Sequence, residues 1–130
     1  MPSPEVWGPP TWTLFHSLAH NLPHESHTAF KVLRNETFGI IRLIASNLPC
    51  PHCTADATRY LNSIDNLDKT FPTRISFINR FYEFHNWVNK KKGKPLYNYA
   101  LVDGKYSQIN PLNALKPFLW HFNTRGNMSL

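Results

Sequence analysis

The sequence predicts an all-α fold: a four-helix bundle closed by a short fifth helix. Three observations carry this reading. Apolar residues recur three and four positions apart through several long stretches, the signature of amphipathic helices. Clusters of Pro, Gly, Asn and Asp separate those stretches. Evidence for strands, the period-two alternation of a half-buried strand, is weak throughout.

The elements follow in order. Residues Trp7-Gly8-Pro9-Pro10-Thr11 read as a turn into the first helix, about Thr11 to Asn21, whose face carries Trp12, Phe15, Leu18, Ala19 and Leu22. A loop around Pro23 leads to a second helix, about His27 to Asn47, with the stripe Phe30, Leu33, Thr37, Ile40, Ile41, Ile44 and Leu48. Pro49 stops it. A third helix runs from Cys50 to about Ser63, and Asn62 to Pro72 reads as a loop. Thr73 is the expected N-cap of a fourth helix, Arg74 to Lys91, which buries Ile75, Ile78, Phe81, Tyr82, His85 and Val88 and stops at Gly93. Lys94 to Gln108 shows no helical period, and Asp103-Gly104 reads as a turn. Asn110-Pro111 caps a last helix to about Trp120, which Pro117 should kink or shorten. The tail from Asn123 is expected to fray.

The length, 130 residues, suits one domain with its core between about 7 and 120. No apolar run reaches membrane-span length, and the N-terminus has neither the basic start nor the apolar core of a signal peptide. Cytoplasmic use is therefore expected. The formal net charge is +6, and the lysines cluster densely only at Lys90-Lys91-Lys92 with Lys94. Such a cluster suits nucleic acid, an acidic partner or the phosphates of a cofactor.

Both cysteines fall in Cys50-Pro51-His52-Cys53. Spaced C-x-x-C at a helix N-terminus, they can form a tight disulfide and reopen it, with a thiolate stabilised by unpaired backbone N–H groups. The same spacing also serves as half of a zinc site, or as two buried structural thiols. In the fourth helix His85 and Asn89 share one face, and Asn86 and Lys90 the adjoining one. Asparagine amides in mid-helix suit a heteroaromatic ring, and lysines beyond them suit phosphates. A merely polar helix face is the plainer alternative. For His16, four residues from Trp12, the plainer alternative is a hydrogen-bonded core histidine.

Taken together, Trp7-Gly8-x-x-x-Trp12-x-x-x-His16, Cys50-x-x-Cys53, His85-Asn86-x-Val88-Asn89-Lys90 and Gly93-Lys94-Pro95-x-Tyr97 resemble, in order and spacing, the Erv/ALR family of FAD-linked sulfhydryl oxidases. The chain's compactness is similar to the versions encoded by large DNA viruses. The resemblance implies FAD at the mouth of a helical bundle. It places Gly8, Trp12 and His16, then His85, Asn86, Val88 and Asn89, against the cofactor. It places Lys90 and Lys94 at the pyrophosphate and puts Tyr97 and Tyr106 at aromatic positions, the latter near the adenine; Lys91 and Lys92, on other faces of the same helical turn, are expected to point to solvent. It implies that Cys50 exchanges with substrate thiols and Cys53 faces the flavin, with oxygen as acceptor and hydrogen peroxide as product. Partners would be protein dithiols, or a separate thioredoxin-like shuttle carrying its own C-x-x-C pair, since no second pair exists here. A homodimer is common in the family, and a viral member would work in host cytoplasm or virion.

Many cellular members hold a structural disulfide where this chain has Tyr82 and Tyr99, and aromatic packing is the expected substitute. Three rivals remain at this point. A zinc-stabilised binding module would need two histidines near the cysteines, and His85 and His121 stand far apart in sequence. A flavin-free dithiol reductase would need a βαβ context. A nucleic-acid binder would use the one lysine cluster, and a salt-independent failure to bind duplex or single strands would remove it.

Overall fold

A computed structural model describes residues 4–125, with side chains throughout except those of residues 100–103 and 122–125. Described residues form helices and loops only: α1 (Pro4–His20), α2 (Phe30–Ala45), α3 (Pro51–Asn62), α4 (Leu67–Thr70), α5 (Arg74–Lys91), α6 (Tyr99–Ser107) and α7 (Pro111–Arg125). The all-α reading holds. α1 is the central element and packs against α7, α5, α6 and α2, while α3 leans on α2. Among the described residues no helix is long and apolar enough to cross a membrane.

Several boundaries differ from the sequence reading. α1 begins at Pro4 and passes through Pro9 and Pro10 instead of turning there. The two prolines cannot donate to the carbonyls of Glu5 and Val6, but both residues are exposed, so solvent can serve those carbonyls. Gly8 eases the step into Pro9, because it carries no Cβ to meet the proline ring. Burial of Trp7 in the core holds this first turn in place, and Thr11 Oγ1 donates to the Trp7 carbonyl at 2.8 Å.

α2 is shorter than expected, and its inward stripe is Phe30, Arg34, Phe38, Ile41, Ile44 and Ala45, with Leu33 and Ile40 exposed. Arg34 is the reason for the rotation. The residue is 1% exposed, yet each of its three guanidinium nitrogens makes a hydrogen bond. It donates to the Phe71 carbonyl (3.0 Å), Asp68 (2.6 Å) and Asn35 (3.0 Å), tying α2 to the segment after α4. α4 itself interrupts the expected loop, capped by Asn66, which accepts from the Lys69 N–H.

α5 has the predicted bounds. Thr73 and Ser76 exchange the two hydrogen bonds of a capping box, and Gly93, at φ 69°, ends the helix. The Lys94 N–H returns to the Asn89 carbonyl and the Gly93 N–H to that of Lys90, the pairing of a Schellman stop. Ile75 is exposed, whereas Phe77 and Phe84 are in the core. α6 occupies the stretch read as irregular and includes Asp103-Gly104. It has little amphipathic pattern of its own, and Tyr106 docks it by burial in the core. Tyr82 and Tyr99 stack with centroids 4.9 Å apart, joining α5 to α6. α7 starts at the predicted cap, with the Leu112 N–H on Asn110 Oδ1 at 2.9 Å, and continues past Pro117, which lies on its exposed side. The expected frayed tail lies partly outside the described residues, from 126 onward.

Candidate functional site

The two cysteines are joined as a disulfide at the start of α3. Leu48 is buried, Pro49 ends the approach from α2, and Cys50 takes the N-cap in extended conformation, with Pro51 in the first helical position. Cys50 Sγ accepts the Cys53 N–H at 3.1 Å. This is the polar N-terminus that the spacing predicted. Cys53, not Cys50, lines an adjacent cleft of about 210 Å³.

The walls of that cleft come from four helices or their edges. α1 gives Trp7, Gly8 and Trp12; α5 gives Phe84, Trp87 and Val88; Ala45 and Leu48 close it from α2. Tyr60 backs the α5 wall, stacking on Phe84 at 4.6 Å. The lining is mostly apolar, with charge at the α3 and α5 rims from His52, Asp56, Lys91 and Lys92.

A second cleft of about 110 Å³ shares Gly8, Trp12 and Lys92 with the first. Its other walls are His85, Tyr97 and Tyr106, with Lys94 and Lys105. A Cβ built on Gly8 would meet nothing within 4 Å outside the neighbouring α1 backbone, so Gly8 leaves open space where the two clefts meet. Burial and the neighbouring Lys94 lower the Lys92 pKa. Lys94 approaches Glu5 at 3.9 Å across the rim.

Behind the second cleft lies a pair of buried histidines. His16 Nε2 and His85 Nδ1 are 2.8 Å apart, one donating to the other. Trp12 stacks on His85 with centroids 3.9 Å apart, and Tyr97 meets the same ring edge-on at 4.4 Å. Burial, then the charges of Lys105, Lys94 and Lys92, push the His85 pKa down to about 3. Burial, then His85, holds His16 well below its usual value. Both rings are therefore neutral at pH 7, and each can donate through one nitrogen and accept through the other. Burial pushes the Tyr106 phenol up to about 12, so it stays protonated.

The residues singled out from sequence thus converge, with some reassignment. Gly8, Trp12, Val88, His85, Lys94, Tyr97 and Tyr106 line one or both clefts, and His16 supports His85 from behind. Asn89 is buried. Asn86 uses both ends of its amide on Tyr97, accepting its N–H at 2.7 Å and donating to its carbonyl at 3.1 Å, which fixes that cleft wall. Lys90 is exposed and lines neither cleft. Lys91 and Lys92, expected to face solvent, both reach the first cleft, and Lys92 also the second. The side chains rotate this way because Asp56 and the Trp87 and Trp7 rings attract them. Sequence reasoning missed Lys105 because it lies on α6; Phe84 and Trp87 could have been found from their places beside His85. Among the described residues no group of three or more His, Cys, Asp or Glu converges as metal ligands would.

A profile of the Erv1 / Alr family matches residues 9–107, a range that holds the disulfide and most of the lining of both clefts, begins just after Trp7 and Gly8, and ends before α7. A putative FAD-linked sulfhydryl oxidase of Invertebrate iridescent virus 6 is 33% identical over 98 residues, 72% of this chain and 85% of the relative. One from Invertebrate iridescent virus 3 is 36% identical over 93 residues, covering 71% of this chain and 60% of the relative. The mitochondrial FAD-linked sulfhydryl oxidase of Schizosaccharomyces pombe is 27% identical over 109 residues, 84% of this chain and 58% of that protein. No solved structure matches at a significant level. With a profile match over most of its length, and a disulfide opening on paired clefts, the chain belongs to the Erv1 / Alr family.

Proposed function

We propose that the protein is an FAD-linked sulfhydryl oxidase, which forms disulfides in protein thiols. One observation carries the reading: Cys53 of a reducible disulfide opens on an aromatic-walled cleft that continues past Gly8 into a lysine-lined one. The residues fit the cofactor. The apolar cleft suits a fused ring beside sulfur. In the second cleft Lys92, Lys94 and Lys105 suit a diphosphate, and Tyr97, Tyr106, Trp12 and neutral His85 suit a base and ribose. FAD, when bound, supplies two-electron acceptance from a dithiol and onward transfer to oxygen, with hydrogen peroxide as product.

The chain's own residues handle the sulfur chemistry. Cys50 lies outside the cleft lining and receives the substrate thiolate; Cys53 leaves toward the cleft. A second substrate thiolate then attacks the mixed disulfide, and Cys50 departs as a thiolate held by the Cys53 N–H and the α3 N-terminus. The walls of Trp7, Phe84 and Trp87 give the cleft side of Cys53 an apolar surround. The neutral His16–His85 pair donates and accepts without bringing a charge into the second cleft. The substrate is a protein dithiol or a separate shuttle bearing its own C-x-x-C pair, and the site of action is the cytoplasm. Val32, Ile40 and Leu43 stand exposed on α2, a surface suited to pairing two copies.

The test is aerobic oxidation of a dithiol with oxygen and peroxide followed together. Cys53→Ser is expected to remain yellow and lose all turnover. A Cys53→Ser protein with full turnover would end this reading.

A further inference from the structure

Turnover at the Cys50–Cys53 disulfide puts a charge on each sulfur in turn, first on Cys53 and then on Cys50, and the helix end serves only Cys50. Cys50 is the N-cap of α3 and holds the Cys53 N–H at 3.1 Å. Cys53 sits inside the first turn with its own N–H committed to the other sulfur. Its side chain lines a mostly apolar cleft, where desolvation disfavours a thiolate unless a cation faces it.

The charged groups around that cleft are His52 and Asp56 from α3, and Lys91 and Lys92 from the end of α5; α1 and α2 contribute uncharged side chains. Asp56 lies one turn beyond Cys53 and is only 22% exposed. Alone, it would oppose a thiolate. It is instead surrounded: Lys91 Nζ lies 3.2 Å from Oδ1, Arg59 Nη2 3.0 Å from the same oxygen, and His52 Nε2 3.7 Å from Oδ2. The Lys91 hydrogen bond is the chief cause of the low Asp56 pKa, so the carboxylate stays ionised and keeps its hold. Lys91 is also seated over the Trp87 ring, 4.7 Å from its centroid, on the wall that faces α3. Lys92 has a different seat, against Trp7 at 5.9 Å.

We propose that Lys91, fixed between Asp56 and Trp87, is the positioning cation that stabilises Cys53 as a thiolate when substrate opens the disulfide. In that step the substrate thiol has already lost its proton to solvent. Its sulfur bonds to Cys50 Sγ, the Cys50–Cys53 bond breaks, and the electron pair stays on Cys53. Substrate sulfur is oxidised and Cys53 reduced, with no further reactant. The role of this thiolate in turnover rests on the oxidase reading; the charge effect on Cys53 belongs to the chain alone.

The test uses Cys50→Ser protein as purified, following alkylation of Cys53 by iodoacetamide across pH by mass spectrometry. Adding Lys91→Met is expected to raise the midpoint by about one unit, lowering the rate below it about tenfold. Lys91→Arg should keep the original midpoint, and Lys90→Met should leave it unchanged. A midpoint indifferent to Lys91→Met, or one moved instead by Lys92→Met, would overturn the proposal. Flavin content is read on the same samples. Colourless protein that still shows the Lys91-dependent shift would defeat the oxidase reading and leave this one standing; yellow, active protein with a Lys91-independent midpoint would do the reverse.

Discussion

Removing single lysines tests the proposal that the second cleft holds a diphosphate. Lys92, Lys94 and Lys105 line it, while Lys90, two to four residues from the first two in sequence, lines neither cleft. A unit charge facing a phosphate oxygen at about 4 Å is worth about 1 kcal/mol in water and about 4 kcal/mol at the effective dielectric of a protein surface. The Lys94 side chain is 43% exposed, which places it toward the lower end. Each of Lys94→Met and Lys105→Met should therefore cost about 1.5 kcal/mol, a factor of about ten in the FAD dissociation constant. Lys90→Met should cost nothing measurable. Binding is followed by flavin fluorescence on stripped protein at several salt concentrations. Wild-type affinity should weaken as the screening length falls from about 10 Å at 0.1 M salt to about 3 Å at 1 M. The Lys94 and Lys105 variants, with one cation fewer, should respond less. Equal losses in all three variants would refute the assignment and leave only a diffuse basic surface.

Three further outcomes follow from the same geometry. His16 and His85 have folded pKa values below their unfolded ones, so the folded chain binds fewer protons, and stability rises with pH. It should be complete above the unfolded value of about 6.5 and fall as pH drops toward the folded values, by up to about 1.4 kcal/mol per unit for each ring. Melting of flavin-free protein across pH reads this, and His85→Leu should flatten the dependence; an unchanged slope would count against it. Arg34→Met keeps the buried stem but loses three hydrogen bonds, and should lower unfolding free energy by about 2–4 kcal/mol in urea melts. A loss below about 0.5 kcal/mol would show that the strap from α2 to Phe71 is dispensable. Cys50→Ser should leave Cys53 free beside the flavin and produce a long-wavelength charge-transfer band, absent in Cys53→Ser; the opposite pattern would exchange the two roles.

What the sequence made legible was what local rules govern. α5 has its predicted ends because Thr73, Ser76 and Gly93 set them within a few residues of backbone. Cys50-Pro51-His52-Cys53 likewise carries its own helix start. Tertiary contacts hid the rest. Pro9 and Pro10 argue for a turn, and only the docking of Trp7 keeps α1 helical there. Arg34 interrupts the apolar stripe of α2 by residue type, yet its partners 34 and 37 residues away make it a core residue. α6 has almost no amphipathic signal and a glycine inside, so Lys105 could not be placed at the site from sequence. The resemblance put His16 and His85 at one candidate site, and the two rings do meet, with His16 behind His85 and outside both clefts; the direction of each lysine depended on Asp56 and on the Trp87 and Trp7 rings.

The measurement that bears most directly on the central claim is an anaerobic dithiol titration of the purified protein, watched in the visible. The purified protein should be yellow, with one FAD per chain. Its absorbance should bleach with stoichiometric dithiothreitol and return on admitting air, with one hydrogen peroxide released per dithiol consumed. A protein that stays colourless after incubation with FAD, or a yellow one that dithiothreitol does not bleach, would contradict it.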